Sequence, residues 1–219
     1  MIFQDRTVAG RELAAKLAPL ILHPSVIAGI PRGGVAVALP IAERLNAPLT
    51  VAYARKLTAP AAPELAFGAL DEDGQAIIDE TTAAGLDLSP DDIEQAKVRV
   101  AAEIKRRMAL YRVPPLAHYL PGKAVILVDD GLATGLTMRA AVAYARRHGS
   151  LEITVAAPCA SLQAASRFEQ EADRCVSLVV DPWFIAVGGY YIDFSPVSDD
   201  EIIAILKRSG GAVRRDDAA

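Results

Sequence analysis

Cysteine, aromatic rings, long apolar runs and excess basic charge are all scarce in this chain, and each scarcity closes off a class of protein. Cys159 and Cys175 are its only cysteines among 219 residues. Two cannot build a disulfide scaffold or a four-ligand zinc site, and their apolar neighbours mark them as plain buried thiols. No stretch reaches the roughly 18 consecutive apolar residues of a membrane span. The start, Met1-Ile2-Phe3-Gln4-Asp5-Arg6, has no basic segment leading into an apolar run, so no secretory signal is expected. Lys and Arg number 23 against 27 Asp and Glu, a formal charge of -4 and the wrong balance for a polyanion partner. A cytoplasmic protein follows, with neither nucleic acid nor membrane as partner. What is plentiful is apolar residue, 52% of the chain and much of it alanine, too much for disorder and enough for a substantial core.

Short β-rich runs alternate with helical spacing. Leu13, Leu17, Leu20 and Ile21 predict a helix over 5–22; Ser25 to Ile30 reads as a buried strand stopped by Pro31 and Gly33-Gly34. A helix over 35–45 and a strand over 49–54 follow. Residues 66–79 predict a hairpin around Asp71-Glu72-Asp73-Gly74. Ser89-Pro90-Asp91-Asp92 supplies an N-cap, an N1 proline and first-turn acids for a helix to about Tyr111. Beyond it come strand 124–128, helix 136–148, strand 151–157, helix 161–171, strand 175–180 and helix 199–207. This order predicts an α/β fold with a doubly wound, mainly parallel sheet. One domain is expected over 1–209, with an insertion at about 59–120 and a flexible tail at 210–219.

Ligands of open α/β sheets bind at the carboxyl ends of strands. The most informative end is Val125-Ile126-Leu127-Val128-Asp129-Asp130-Gly131-Leu132-Ala133-Thr134-Gly135-Leu136-Thr137. Backbone amides of Ala133, Thr134, Gly135, Leu136 and Thr137 at a helix N-terminus suit a phosphate. Asp129 and Asp130 beside such a cradle make sense if the ligand also carries hydroxyl donors, as a ribose diol does. A ribose 5-phosphate unit fits both. The second loop, Pro31-Arg32-Gly33-Gly34, is by itself a tight strand-to-helix turn, and it lacks the Gly-x-Gly-x-x-Gly of a dinucleotide site.

The run from Val125 to Thr137 resembles the phosphoribosyl-pyrophosphate (PRPP) signature of type I phosphoribosyltransferases, with Gly131 where a larger apolar residue is common and Ala133 where threonine is frequent. The resemblance implies a Rossmann-type core with a C-terminal hood, at about 181–197, and transfer of phosphoribose from Mg-PRPP to a nitrogenous base with release of pyrophosphate. Asp129, Asp130 and residues 133–137 would hold PRPP. Arg32, Gly33 and Gly34 would hold the pyrophosphate, in a loop that in the family often has a non-proline cis peptide. Lys56 would neutralise the leaving group, with Arg55 a weaker candidate, and Asp130, Lys56 and Arg32 form the catalytic set. Magnesium would arrive with PRPP near Asp129 and Asp130 rather than on a protein cage. The stretch from Thr58 to Leu70 stands where the family has a mobile covering loop. Trp183 or Phe184 in the hood would stack the base, and no lysine precedes them where purine enzymes use one. A homodimer is implied as well. His118 and His148 fall on none of these loops, and the different reading left open is a non-catalytic PRPP-binding sensor.

Overall fold

Five apolar runs do become one parallel sheet with helices on both faces. In a computed structural model describing residues 1–59 and 62–209, the chain forms α1 (Arg6–Leu17), β1 (Ser25–Gly29), α2 (Gly33–Leu45) and β2 (Leu49–Val51). It continues through β3 (Arg55–Ala59), β4 (Ala62–Leu70), β5 (Ala76–Ile78), α3 (Glu80–Gly85) and α4 (Pro90–Tyr111). The rest is β6 (Ala124–Val128), α5 (Leu136–Arg147), β7 (Glu152–Ser161), α6 (Leu162–Glu171), β8 (Arg174–Asp181) and α7 (Asp199–Arg208). Strand order is β2-β1-β6-β7-β8, every pairing parallel.

Strand residues alternate between two cores, which is why these strands read as continuous apolar runs. Ile27, Ile126 and Ala156 face a core shared with α1, α2, α4 and α7. Val26, Ala28, Val125, Leu127, Ile153 and Val155 face a second core, shared with α5 and α6. A smaller cluster of Phe3, Ala9, Cys159 and Tyr191 pins the C-terminal segment to the N-terminus. There the Phe3 amide donates to the Tyr190 carbonyl and the Ile192 amide to the Phe3 carbonyl, both at 2.8 Å.

The middle of the chain departs from expectation. The second strand ends at Val51 rather than Ala54, and Arg55 opens a separate antiparallel sheet of order β3-β4-β5. The Ala54 amide donates back to the Ala52 carbonyl at 2.9 Å, a tight turn that leads the chain out of the first sheet. An unbroken apolar run cannot reveal that turn. The stretch expected as a covering loop is the facing strands β3 and β4, apart from Pro60 and Ala61, which lie outside the described residues along with the expected tail at 210–219. β7 runs on to Ser161, paired with β8 and, once β6 has ended, bridged on its other side by Leu132 alone among the described residues. Cys159 is buried as expected, whereas Cys175 is half-buried.

Candidate phosphate and ribose site

Helix capping separates two helices from the other five. Asp5, Asp79, Ser89, Ser161 and Ser198 each accept a hydrogen bond from a first-turn amide of α1, α3, α4, α6 and α7. The N-caps of α2 and α5 are Arg32 and Gly135, and neither makes a side-chain cap. First-turn amides have no acceptor within their own helix, so these two ends keep donors and positive dipole for something else. Both line one cavity of about 450 Å³ at the carboxyl edge of the parallel sheet.

Arg32, Gly33, Lys56, Asp129, Asp130, Ala133, Thr134, Gly135 and Thr137 line this cavity, as do Arg55 and Thr58. Gly34 and Leu136 lie behind the wall, both buried. The two loops touch. A Cβ on Gly33 would overlap the Asp130 carboxylate, and one on Gly34 would overlap the Val128 carbonyl oxygen and lie 2.9 Å from the Asp129 Cα. Only glycine permits that approach. The Pro31–Arg32 peptide bond is cis. Gly135 sits at φ +73°, a left-handed turn into α5.

Electrostatics differ between the two carboxylates. Burial, and then the charge of Asp130, push the Asp129 carboxyl well above the usual carboxylate range, against the pull of Lys56. Asp130 is paired instead: its Oδ2 accepts from Arg6 Nε at 2.8 Å, and its carbonyl accepts from the Tyr191 hydroxyl at 2.6 Å. Burial and the neighbouring Arg107 lower the Arg55 pKa. Behind the turn, burial and the charges of Asp130 and Asp129 push Cys159 up to about 12, so it stays a thiol.

The hood contributes differently from expectation. Trp183 is 85% exposed, and Phe184 stacks on Tyr190 with ring centroids 5.0 Å apart. Neither reaches the cavity lining, whereas Val187 does. Arg6, Tyr191 and Val187 were not foreseen. Arg6 left a trace in the sequence, because it is the first residue of a helix whose first turn holds no acid, where a cation opposes the dipole and needs a reason to be there.

The phosphoribosyl transferase domain matches residues 5–195. Two Mycobacterium tuberculosis proteins, provisionally named phosphoribosyl transferases, are 40% identical over 208 residues, covering 95% of this chain and 47% of theirs. The chain thus spans about half the length of these curated relatives. A crystal structure from Thermus thermophilus, also 40% identical, superposes with a TM-score of 0.77 over 95% of this chain and 99% of that one. A Neisseria gonorrhoeae protein solved with bound ppGpp, only 16% identical, shares the fold at a TM-score of 0.51 over 94% and 96%. With the two loops, their helix ends and this match agreeing, the chain belongs to the phosphoribosyl transferase domain family.

Proposed function

We propose that this domain transfers a 5-phosphoribosyl group from Mg-PRPP to a nitrogenous base or related nucleophile and releases pyrophosphate. The observation that carries the reading is the pair of uncapped helix N-termini opening on one cavity with two carboxylates between them. Two anions joined by a diol match that arrangement. The amides of residues 133–137 would hold the 5-phosphate, and Thr134 and Thr137 add hydroxyls. Arg32, Gly33 and Gly34 at the start of α2 would hold pyrophosphate, with Lys56 across the cavity. Asp130 has Oδ2 committed to Arg6, leaving Oδ1 for a ribose hydroxyl. Asp129 lies beside it, its carboxyl pushed up by burial and by the charge of Asp130.

Magnesium fits this donor set. Two adjacent carboxylates with one arginine partner leave negative charge facing the pyrophosphate side, and Mg²⁺ typically uses one or two carboxylates plus substrate phosphates. Among the described residues no group of three or more His, Cys, Asp or Glu could hold a metal by itself, so the remaining ligands would be substrate and water. Bound there, the ion would stabilise the charge that develops on the leaving pyrophosphate.

The sensor reading keeps one supporting observation, that among the described residues no aromatic ring lines the cavity to stack a base. Calorimetric titration of PRPP with and without Mg²⁺, alongside pyrophosphate release over a panel of bases, separates the two. Release with one acceptor supports the transferase; tight binding without release for any acceptor favours the sensor; no PRPP binding overturns both. In the variant Asp129→Asn with Asp130→Asn, PRPP binding should vanish while the circular dichroism spectrum is retained.

A further inference from the structure

Arg6 touches three parts of the site from outside them. Its Nε donates to Asp130 Oδ2 at 2.8 Å and its Nη1 to the Ser195 carbonyl at 2.9 Å. Its guanidinium lies 4.0 Å from the Phe194 ring centroid and 5.9 Å from that of Tyr191. A Cβ on Gly33 would come within 2.9 Å of its Nε. The side chain is only 11% exposed and its Asp130 partner 17%. A long cation held this tightly, at the helix end that disfavours it, is placed for the carboxylate and not for α1.

We infer that Arg6 is a positioning residue that fixes the Asp130 carboxylate for the ribose hydroxyls and ties that carboxylate to the hood through Phe194 and Ser195. The inference rests on the proposed PRPP site and deepens it. Without Arg6, Asp130 Oδ2 loses its only side-chain donor among the described residues, and the carboxylate is free to turn or to attract a different cation. The hood would then lose the planar group stacked on Phe194. Two ends of the ligand should respond differently. Ribose is read by Asp130, whereas pyrophosphate is read by the α2 end, which does not need Arg6.

Calorimetric affinities of wild type, Arg6→Gln and Arg6→Lys test this, for PRPP and ribose 5-phosphate with Mg²⁺ and for inorganic pyrophosphate without it, where no ion links pyrophosphate to Asp130. Arg6→Gln should weaken PRPP and ribose 5-phosphate about tenfold or more, the scale of a lost charged hydrogen bond, and leave pyrophosphate unchanged. Arg6→Lys should recover part of the ribose loss, because it restores the charge but not the stack. Equal weakening of all three ligands would mean general damage and would overturn the inference, as would wild-type PRPP affinity in Arg6→Gln. If Arg6→Gln fails to fold, Arg6→Lys against wild type makes the same comparison, and a loss confined to the ribose ligands decides it. A wild type that binds no PRPP instead removes the site reading itself, a failure visible without any variant.

Discussion

At the scale of single residues, Gly131 shows how a departure from a family pattern is compensated. A larger apolar residue is common there in the family it resembles. Here a Cβ at 131 would meet Val187 Cγ1 at 2.6 Å, Val187 Cγ2 at 2.8 Å and Cys159 Sγ at 3.0 Å. The hood valine fills the space that the missing side chain vacates. Gly131→Val should therefore cost about 1–3 kcal/mol, the usual penalty of overpacking. Combined with Val187→Ala, the total in urea denaturation should fall short of the sum of the single variants by about 0.5 kcal/mol or more. Strict additivity would show that the two residues do not share this space. The sequence displays the glycine but not its reason, since Val187 is brought there only by the hood's return. Arg6 is the same case: the residue stands in the sequence, but its partner Asp130 is 124 positions away and is met only in the fold.

Among elements, what was legible is what local chemistry decides. A capping serine, Ser89, and first-turn acids marked α4, and the Asp71-Glu72-Asp73-Gly74 turn marked the β4–β5 hairpin, where Asp71 Oδ1 accepts from the amides of Asp73 and Gln75. β3 was missed because Arg55 and Lys56 continue an apolar run and nothing local says that the partner strand has changed. Tertiary contact also gives that hairpin a property the sequence does not show. Glu72 lies against Tyr53, Leu116 and Tyr144, with both carboxylate oxygens buried. Burial pushes its carboxyl up to about 7, outweighing the Leu116 amide and the Tyr144 hydroxyl that pull it down. The folded state thus keeps a proton that the unfolded chain releases near its ordinary value of 4.5. Stability contributed by this group is whole below about pH 4.5 and lost as pH rises toward 7, by about 3 kcal/mol at most. Thermal melts at pH 5 and pH 8 should show Glu72→Gln closing part of the gap between them. A gap unchanged in the variant would assign the pH dependence to other groups.

For the whole molecule, the question is whether the middle insertion stands apart from the sheet that carries the site. The packing says that it does not. Ala96, Ile104 and Tyr111 of α4 share one buried cluster with Leu13 of α1, Ile41 of α2, Ile126 of β6 and Leu206 of α7. Tyr53 and Tyr111 stack with centroids 6.1 Å apart, and Asp199 at the start of α7 accepts from the Tyr111 hydroxyl at 2.6 Å and from Arg106 at 2.8 Å. Helix periodicity predicted α4 itself, but an amphipathic face does not name the surface it will cover, so the purpose of this segment was invisible in the sequence. Covering Tyr53 and Leu57, it buries the start of the strand that bears Arg55 and Lys56. Loss of its packing should therefore be felt by the entire fold. Ile104→Ala, at 4% exposure, is expected to cost about 2–5 kcal/mol. Far-ultraviolet and tyrosine near-ultraviolet circular dichroism should report one urea transition, shifted together to lower urea. Helix loss running ahead of the tyrosine signal would mean that α4 unfolds by itself, and that the lysine and arginine wall of the cavity does not depend on it.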